Sequence, residues 1–180
     1  GGLIPLLFYR KLYGIDSTLT LIGPPQLKEY FEDCYRHSGL SNNQDLQWID
    51  ISINNQLGFQ DDIKIHALEM KHKIPCWGYR ISDGGKYLVF ITDTLPNSNA
   101  VKLAENADVL IHEATFTHHM REKAKEHFHT TEIQAMEIAD EAKVKRLILT
   151  HFSQRLTDRD VQEWIWNGKS CIVFAERVEI

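Results

Sequence analysis

The second half of the chain alternates predicted strands with predicted helices, and this alternation restricts the fold more than any other feature. Each strand is a short apolar run, and each helix repeats apolar residues three and four positions apart. The predicted strands are Tyr87–Thr92, Asp108–Ile111, Arg146–Thr150 and Cys171–Ala175. The predicted helices are Ser98–Asn106, His118–His127, Thr131–Ala142 and Thr157–Trp166. Such alternation indicates a layered α/β architecture.

The first half adds antiparallel strands, so the sheet is expected to be mixed. Asp83-Gly84-Gly85 is a tight-turn sequence that joins strand Trp77–Ser82 to the next strand as a hairpin. Further strands are predicted at Thr18–Ile22, Trp48–Ile51 and Ile63–Met70, with a helix at Gln26–His37. Because a folded chain of this length buries roughly 70% of its unfolded surface, we expect a single domain over residues 1–180.

The composition is that of an ordinary globular protein. Hydrophobic residues make up 43% and charged residues 25%, and no apolar run approaches the roughly 18 residues of a membrane span. The net charge of −5 is not typical of a nucleic-acid binder, which is usually basic. Local patches of positive charge matter more for such binding than the total charge of the chain. Cys34, Cys76 and Cys171 are few, distant and odd in number, which predicts reduced thiols in a cytoplasmic protein.

Three neighbouring strands end in residues that bind metals or move protons. The strand Tyr87–Thr92 leads to Asp93, the next strand leads to His112 and Glu113, and Arg146–Thr150 leads to His151. Ligands bind at the carboxyl ends of strands in open α/β sheets. These ends therefore predict a shared site, with isolated polar strand terminators as the alternative interpretation.

The remaining histidines divide into candidates and surface residues. His72 follows the strand Ile63–Met70 between two lysines, where a solvated loop residue is the alternative to a metal ligand. His129 precedes a helix whose Thr131 and Gln134 have the spacing of a capping box. We interpret His127 as an exposed loop residue, and His118 and His119 likewise as surface residues.

Five segments, which contain the residues described above, resemble in their order along the chain the ribonuclease Z family. This is the tRNA 3′-processing endonuclease family of the metallo-β-lactamase superfamily. The matching segments are residues 72–81, Thr92-Asp93-Thr94, His112-Glu113-Ala114-Thr115-Phe116, His129-Thr130-Thr131 and residues 149–155. Gly1–Leu7 is similar to the segment after the family's H-x-H-x-D-H motif. The resemblance implies a metallo-β-lactamase-like αβ/βα sandwich with mixed sheets.

The resemblance also assigns roles to residues. It implies that His72 binds one zinc, that Asp93 bridges two zincs and that His151 binds the other. Glu113 would orient His129, which would assist at the scissile phosphate or the leaving group, and Arg155 would help hold the helix or the substrate side of the site. Manganese or iron also suits such ligands.

The implied reaction is removal of the 3′ trailer of precursor tRNA by hydrolysis of a phosphodiester. The expected partners are precursor tRNA and a second copy of the chain in a homodimer, with no membrane. Basic residues that could contact phosphates flank the site residues: Lys71, Lys73, Arg80, Arg121, Lys123 and Lys125. A solvated basic face is the alternative interpretation of these residues.

The sequence departs from the family pattern at three places. It lacks H-x-H-x-D-H, so we expect that an N-terminal segment is missing or that this fragment alone is inactive. The long tRNA-binding arm of many members is replaced by the tight turn between Ile81 and Tyr87. Thr92 stands where the family usually has glycine.

These departures keep two alternatives open. One is a metal-dependent hydrolase of the superfamily that acts on a small phosphodiester or another ester. The other is a non-catalytic fragment that binds a partner or RNA without metal.

Overall fold

The computed structural model describes residues 2–38, 46–59, 62–162 and 164–170. The chain forms two compact units, Gly1–Asn55 and Gln56–Ile180. Each unit has its own cluster of buried apolar side chains. The assignment of residues 1–180 to a single family domain stays a prediction.

The first unit pairs two parallel strands with two helices. Its elements are α1 (Leu3–Leu12), β1 (Leu19–Gly23), α2 (Pro25–His37) and β2 (Leu46–Asp50). Pro25 occupies the first turn of α2, where a missing amide hydrogen costs nothing. Leu7 of α1 and Phe31 of α2 are buried at the centre of the unit's apolar cluster.

The second unit is built on a sheet of six strands that is mixed, as the sequence predicts, although the strand at Gln56–Gly58 is not among the predicted strands. The strands are β3 (Gln56–Gly58), β4 (Lys64–Met70), β5 (Cys76–Asp83), β6 (Lys86–Ile91), β7 (Val109–Glu113) and β8 (Leu147–Thr150). They lie in this order across the sheet. The pairs from β3 to β6 are antiparallel, whereas β6, β7 and β8 run parallel.

Helical crossovers make the parallel strands possible, because two parallel neighbours need a connection across the sheet. The helices are α3 (Ser98–Ala104), α4 (Arg121–Glu126) and α5 (Glu132–Glu141). α3 connects β6 to β7, and α4 and α5 lie between β7 and β8. Small buried residues of α3 and α5 join the main core: Ala100, Ala104, Ala135 and Ala139. This topology brings the carboxyl ends of β6, β7 and β8 to one edge of the sheet.

Glycine is required at one position where α3 packs on the sheet. A Cβ at Gly78 in β5 would lie 2.9 Å from a methyl carbon of Leu103 and 2.9 Å from the terminal methyl of Met70. It would also lie 3.0 Å from Ile91 Cγ1. The β5–β6 connection is the predicted tight turn, with Gly84 and Gly85 at φ values of +54° and +86°.

The carboxyl-terminal part differs from the sequence prediction. The predicted helix Thr157–Trp166 is wrong in its second half, because α6 (Asp158–Gln162) ends before a small hairpin of β9 (Ile165–Trp166) and β10 (Lys169–Ser170). Asn167 and Gly168 form its turn with positive φ values of 51° and 70°. The predicted strand Cys171–Ala175 lies outside the described residues.

The other predicted elements differ mainly at their ends. The predicted helix His118–His127 consists of a 3₁₀ turn over His118–Met120 followed by α4. Helix α3 ends two residues before its predicted end at Asn106. Among the described helices, none combines the length and the apolar character that crossing a bilayer would require.

Candidate metal centre and acid–base site

The structure places the predicted site residues around the carboxyl edge of β6, β7 and β8. Asp93 follows β6, Glu113 is the last residue of β7, and His151 follows β8. Two more residues reach this edge from other segments. His72 comes directly after Lys71, which forms an isolated β-bridge with Leu95. His129 lies just before α5.

Three residues of this edge have left-handed backbone conformations. The φ values are +53° for Asp93, +62° for Phe128 and +58° for His151. A non-glycine residue held there costs about 1–3 kcal/mol and persists only when its surroundings fix it. The chain therefore turns sharply after β6 and β8 to direct these side chains over the end of the sheet.

Glu113 is a fully buried carboxylate with a complete set of hydrogen-bond donors. It accepts from the Thr94 amide at 2.6 Å, the Thr115 hydroxyl at 2.5 Å and the Thr130 amide at 3.2 Å. His129 Nδ1 donates to it at 3.1 Å. Burial by itself raises the pKa of Glu113, but these hydrogen bonds outweigh burial and hold the pKa below its ordinary value.

His129 is coupled to the same carboxylate. Burial alone would lower its pKa, but the hydrogen bond and negative charge of Glu113 raise the pKa above its usual value, with help from the charge of Asp93. Because Nδ1 donates to Glu113, Nε2 is the ring nitrogen available to another group. A histidine oriented in this way can donate a proton or bind a metal.

The hydroxyl of Thr115 fixes the tautomer of His151. Its one hydrogen is donated to Glu113, because a carboxylate can only accept. The hydroxyl oxygen therefore accepts from His151 Nδ1 at 2.9 Å. Nε2 of the neutral ring then carries a lone pair.

In the neutral ring, this lone pair faces another hydrogen-bond acceptor, the carboxylate of Asp93. His151 Nε2 lies 3.3 Å from the Asp93 carboxylate oxygen Oδ1. Two acceptors at this separation repel each other unless a proton or a cation lies with them. This pair therefore needs positive charge at His151 Nε2, which either a proton on the ring or a bound cation supplies.

His72 is oriented in the same sense. Its Nδ1 donates to the carbonyl oxygen of Phe128 at 3.0 Å, which leaves Nε2 as the free nitrogen. Its ring lies 5.2 Å from the ring of His129, and the rings of His129 and His151 lie 5.4 Å apart. The structure thus brings the three imidazoles together at one edge.

Among the described residues, Asp93, His129 and His151 form a group that could hold a metal ion. Each contributes one donor atom, and these atoms lie within 4.8 Å of one another. Imidazole nitrogen and carboxylate oxygen suit zinc and other divalent transition metals. His72 does not belong to this group, and its assignment as a ligand stays a prediction, as does the assignment of His129 as a non-ligand.

Cys76 lies near the two carboxylates without joining them. Burial, followed by the negative charges of Asp93 and Glu113, raises the pKa of the Cys76 thiol to about 11. The thiol stays protonated at neutral pH, and a metal binds the thiolate. Both Cys34 and Cys76 are free thiols.

A cavity adjoins the donor group on the side of His129. Its volume is about 320 Å³, and its lining includes Thr115, Phe116, His127, His129 and Arg155. Arg155 is exposed at its wall, which is compatible with the predicted contact to substrate. His127 is exposed as predicted, but it also lines the cavity and stacks on Phe116.

The remaining predicted residues do not belong to the donor group. Arg80 does not flank His72: its guanidinium is at the opposite end of β5, donating to the carbonyls of Leu103 and Glu105. His112 is fully buried, and burial lowers its pKa. His118 and His119 are exposed, as predicted.

The sequence reasoning missed the threonines that complete the site. Thr94, Thr115 and Thr130 each contact Glu113 through an amide or hydroxyl hydrogen. All three belong to the segments that match the family, and the available signal was their place in those segments, with Thr94 next to Asp93 and Thr130 next to His129. Thr131 caps α5 and forms the predicted capping box with Gln134.

Comparison with known proteins places this chain in a family. The beta-lactamase superfamily domain matches residues 6–152. Ribonuclease BN of Proteus mirabilis is 32% identical over 90% of this chain and 70% of its own length. Ribonuclease Z of Limosilactobacillus reuteri is 27% identical over 95% of this chain and 72% of its own length.

Solved structures agree with these relatives. The short form of human tRNase Z superposes with a TM-score of 0.72 and 29% identity, over 86% of this chain and 68% of its own. The alignment with the P. mirabilis protein runs over 212 positions, more than the 180 residues here. That relative therefore carries segments that this chain lacks.

Proposed function

This chain belongs to the ribonuclease Z branch of the metallo-β-lactamase superfamily, and we propose that it acts as a zinc-dependent endoribonuclease that removes the 3′ trailer of precursor tRNA. The relatives named ribonuclease Z support a hydrolytic nuclease. The observation that carries the proposal is the pair of facing acceptors, His151 Nε2 and Asp93 Oδ1, at 3.3 Å. Such a pair can bind a cation. A cation at the carboxyl ends of the strands would in turn attract the negatively charged phosphate of a phosphodiester.

We propose that His72, Asp93 and His151 hold the metal. The two nitrogen donors have Nδ1 occupied by a hydrogen-bond acceptor, which is the usual arrangement for a metal-binding imidazole. Two zinc ions need three or four protein ligands each, and these residues supply only part of that number. Since H-x-H-x-D-H is not among the 180 residues, we propose that this chain alone is inactive.

In the proposed reaction, a group of this chain, His129, supplies the proton that the leaving oxygen needs. Zinc, when bound, would lower the pKa of the attacking water and offset negative charge on the phosphate. Water loses a proton to bulk solvent as its oxygen adds to phosphorus, the bond from phosphorus to the ribose 3′ oxygen breaks, and His129 donates a proton to that oxygen. Glu113 holds the imidazole in position and favours its protonated form.

We further propose a homodimer in the cytoplasm. The first unit exposes apolar side chains on α1, with Leu12 81% exposed and Phe8 41% exposed. An exposed apolar patch suits a protein interface, and the free thiols suit a reducing compartment. Sedimentation analysis of the full-length protein would give the number of copies, and a monomer at micromolar concentration would contradict the dimer.

A second candidate function is hydrolysis of a small phosphodiester or another ester by the same site. The observation that favours it is the two-glycine turn between β5 and β6, at Gly84 and Gly85. In many ribonuclease Z proteins a long tRNA-binding arm occupies this place. A chain without that arm has less surface with which to select a large RNA.

One experiment separates the candidates. The full-length protein, loaded with zinc, is given a precursor tRNA with a labelled 3′ trailer and, separately, bis(p-nitrophenyl) phosphate. Cleavage of both, with the trailer released at a single position, supports the tRNA nuclease. Cleavage of the chromogenic ester alone supports the small-substrate hydrolase. Elemental analysis without stoichiometric metal would favour a non-catalytic binding fragment.

A further inference from the structure

The cavity beside the donor group shares one residue, His129, with the proposed catalytic site. Of the three residues in the donor group, His129 alone is among the described residues lining this cavity. The rest of the lining comes from the β7–α4 connection, the end of α4 and the segment after His151. A volume of about 320 Å³ is at the lower end for a small-molecule site.

An aromatic pair forms one side of the cavity. The rings of Phe116 and His127 are stacked, with centroids 6.0 Å apart and planes 21° from parallel. Phe116 is only 4% exposed, whereas His127 is exposed. Phe116 therefore supports the imidazole from the protein side, and His127 presents a flat ring to a ligand. Flat aromatic rings are the usual platforms for nucleic-acid bases.

Hydrogen-bond donors line another side of the cavity. Among the described residues, the guanidinium of Arg155 and the amide of Gln154 form no hydrogen bond or ion pair. Both residues are exposed and line the cavity. Arg155 offers the planar donor pattern that suits a phosphate group.

The direction of the reaction decides which nucleotide fits. In the proposed function, His129 protonates the ribose 3′ oxygen that leaves, and this oxygen belongs to the nucleotide on the 5′ side of the cut. Because His129 lines the cavity, the leaving ribose lies at its entrance. The base of the same nucleotide then extends toward His127.

We propose that this cavity binds the nucleotide on the 5′ side of the cut, with its base stacked on His127 and its own 5′ phosphate near Arg155. The inference rests on the proposed function for the identity of the substrate. It adds a binding residue, His127, that the sequence pattern assigned to the surface.

A binding experiment tests the cavity without catalysis. Adenosine 5′-monophosphate has the base, the 5′ phosphate and the free 3′ hydroxyl of the 5′-side product. Ribose 5-phosphate lacks only the base. With the zinc-loaded full-length protein, we expect adenosine monophosphate to bind about 5- to 100-fold more tightly than ribose 5-phosphate, the usual contribution of one stacked base.

Variants assign that difference to the ring of His127. In His127→Ala the preference for adenosine monophosphate should disappear, and in His127→Phe it should return. His119→Ala is the matched control, because His119 is also an exposed histidine but does not line the cavity. A preference that survives in His127→Ala, with an NMR signal of the His127 ring in wild-type protein that does not move on titration, would overturn the proposal.

A kinetic experiment tests the assignment to the 5′ side. One precursor tRNA is unmodified, and a second lacks the base of the nucleotide before the cut. His127→Ala should lower kcat/KM about 5- to 100-fold on the first RNA and should have no effect on the second. Equal losses on both RNAs would overturn the assignment.

The outcomes distinguish this inference from the proposed function. If the wild-type protein does not cleave precursor tRNA, the proposed function fails, and the nucleotide-binding experiment still decides whether the cavity binds a base. If wild type cleaves and His127→Ala cleaves equally well, the inference fails by itself. As a control for folding, His119→Ala should hydrolyse bis(p-nitrophenyl) phosphate at the wild-type rate, because His119 does not line the cavity.

Discussion

The two ends of the six-stranded sheet differ in how their polar residues are held. At the carboxyl end of β6–β8, Glu113 is fully buried and both of its carboxylate oxygens accept hydrogen bonds. The opposite end has the larger cavity, about 480 Å³, lined by residues such as Lys64, His66 and Arg80. That cavity has no buried carboxylate and no group of metal donors among its described lining residues. The proposed functional end is thus distinguished by its buried, hydrogen-bonded carboxylate and not by the size of its cavity.

The electrostatics of the two ends are also opposite. Burial, and then the positive charges of Lys102 and Arg80, lower the pKa of His66 at the far end. Glu113 and Asp93 raise the pKa of His129 at the carboxyl end. Two half-buried histidines of one sheet are thus set toward opposite protonation states, and only the second is prepared to donate a proton.

The largest expected effect is at Asp93. Asp93→Ala in the full-length enzyme should abolish activity and lower metal content, because it removes the carboxylate that faces His151. Activity is measured on bis(p-nitrophenyl) phosphate and metal by elemental analysis. Asp83→Ala, an exposed carboxylate at the far end, should change neither. Full metal occupancy in Asp93→Ala would show that Asp93 is not a ligand.

The next effect is at His129. His129→Ala should leave metal content intact and slow turnover about 10²–10⁴-fold, the usual contribution of acid–base assistance. His66→Ala is the matched change at the other end of the sheet and should have little effect. Loss of metal in His129→Ala would instead place His129 among the ligands, as its position in the donor group allows.

A smaller effect is expected from Glu113→Gln. The substitution keeps the shape of the side chain but removes the charge and turns one acceptor into a donor that faces amide and hydroxyl hydrogens. Turnover should fall about 10–100-fold, as for other groups that orient a metal-site histidine. Glu69→Gln, an exposed position on β4, is the control. Wild-type turnover in Glu113→Gln would contradict the orienting role of Glu113.

The smallest effect is expected from Lys64→Ala in the far cavity. Lys64 is exposed and belongs to no charged network with the donor group. We expect kcat/KM on bis(p-nitrophenyl) phosphate to stay within about two-fold of wild type, as for most surface substitutions. A loss comparable to that of Glu113→Gln would mean that both ends of the sheet take part in the chemistry.

The sequence alone predicts the strand ends well, because Asp93, Glu113 and His151 follow short apolar runs with clear limits. It also predicts the capping box before α5, since Thr131 and Gln134 act within one turn of the chain. The Asn167-Gly168 turn had a recognisable sequence signal that the helix prediction overlooked. The sequence therefore predicts caps and turns, because the residues that form them are close together in the chain.

Contacts between distant segments could not be predicted in the same way. The tautomer of His151 depends on Thr115, 36 residues away, which in turn depends on Glu113. Arg80 looked like a neighbour of His72 in the sequence, but it lies well along β5, and its guanidinium reaches the other end of the sheet. Such relations depend on register and on converging loops, which only the folded structure fixes.

The left-handed turns at Asp93, Phe128 and His151 have a consequence for protein engineering. Glycine would relax the backbone at each of these positions, so a search for heat-resistant variants would be drawn to them. At positions 93 and 151, such variants would gain thermal tolerance by discarding donor atoms. Engineering of a more durable enzyme should therefore keep these positions fixed and seek its gains elsewhere.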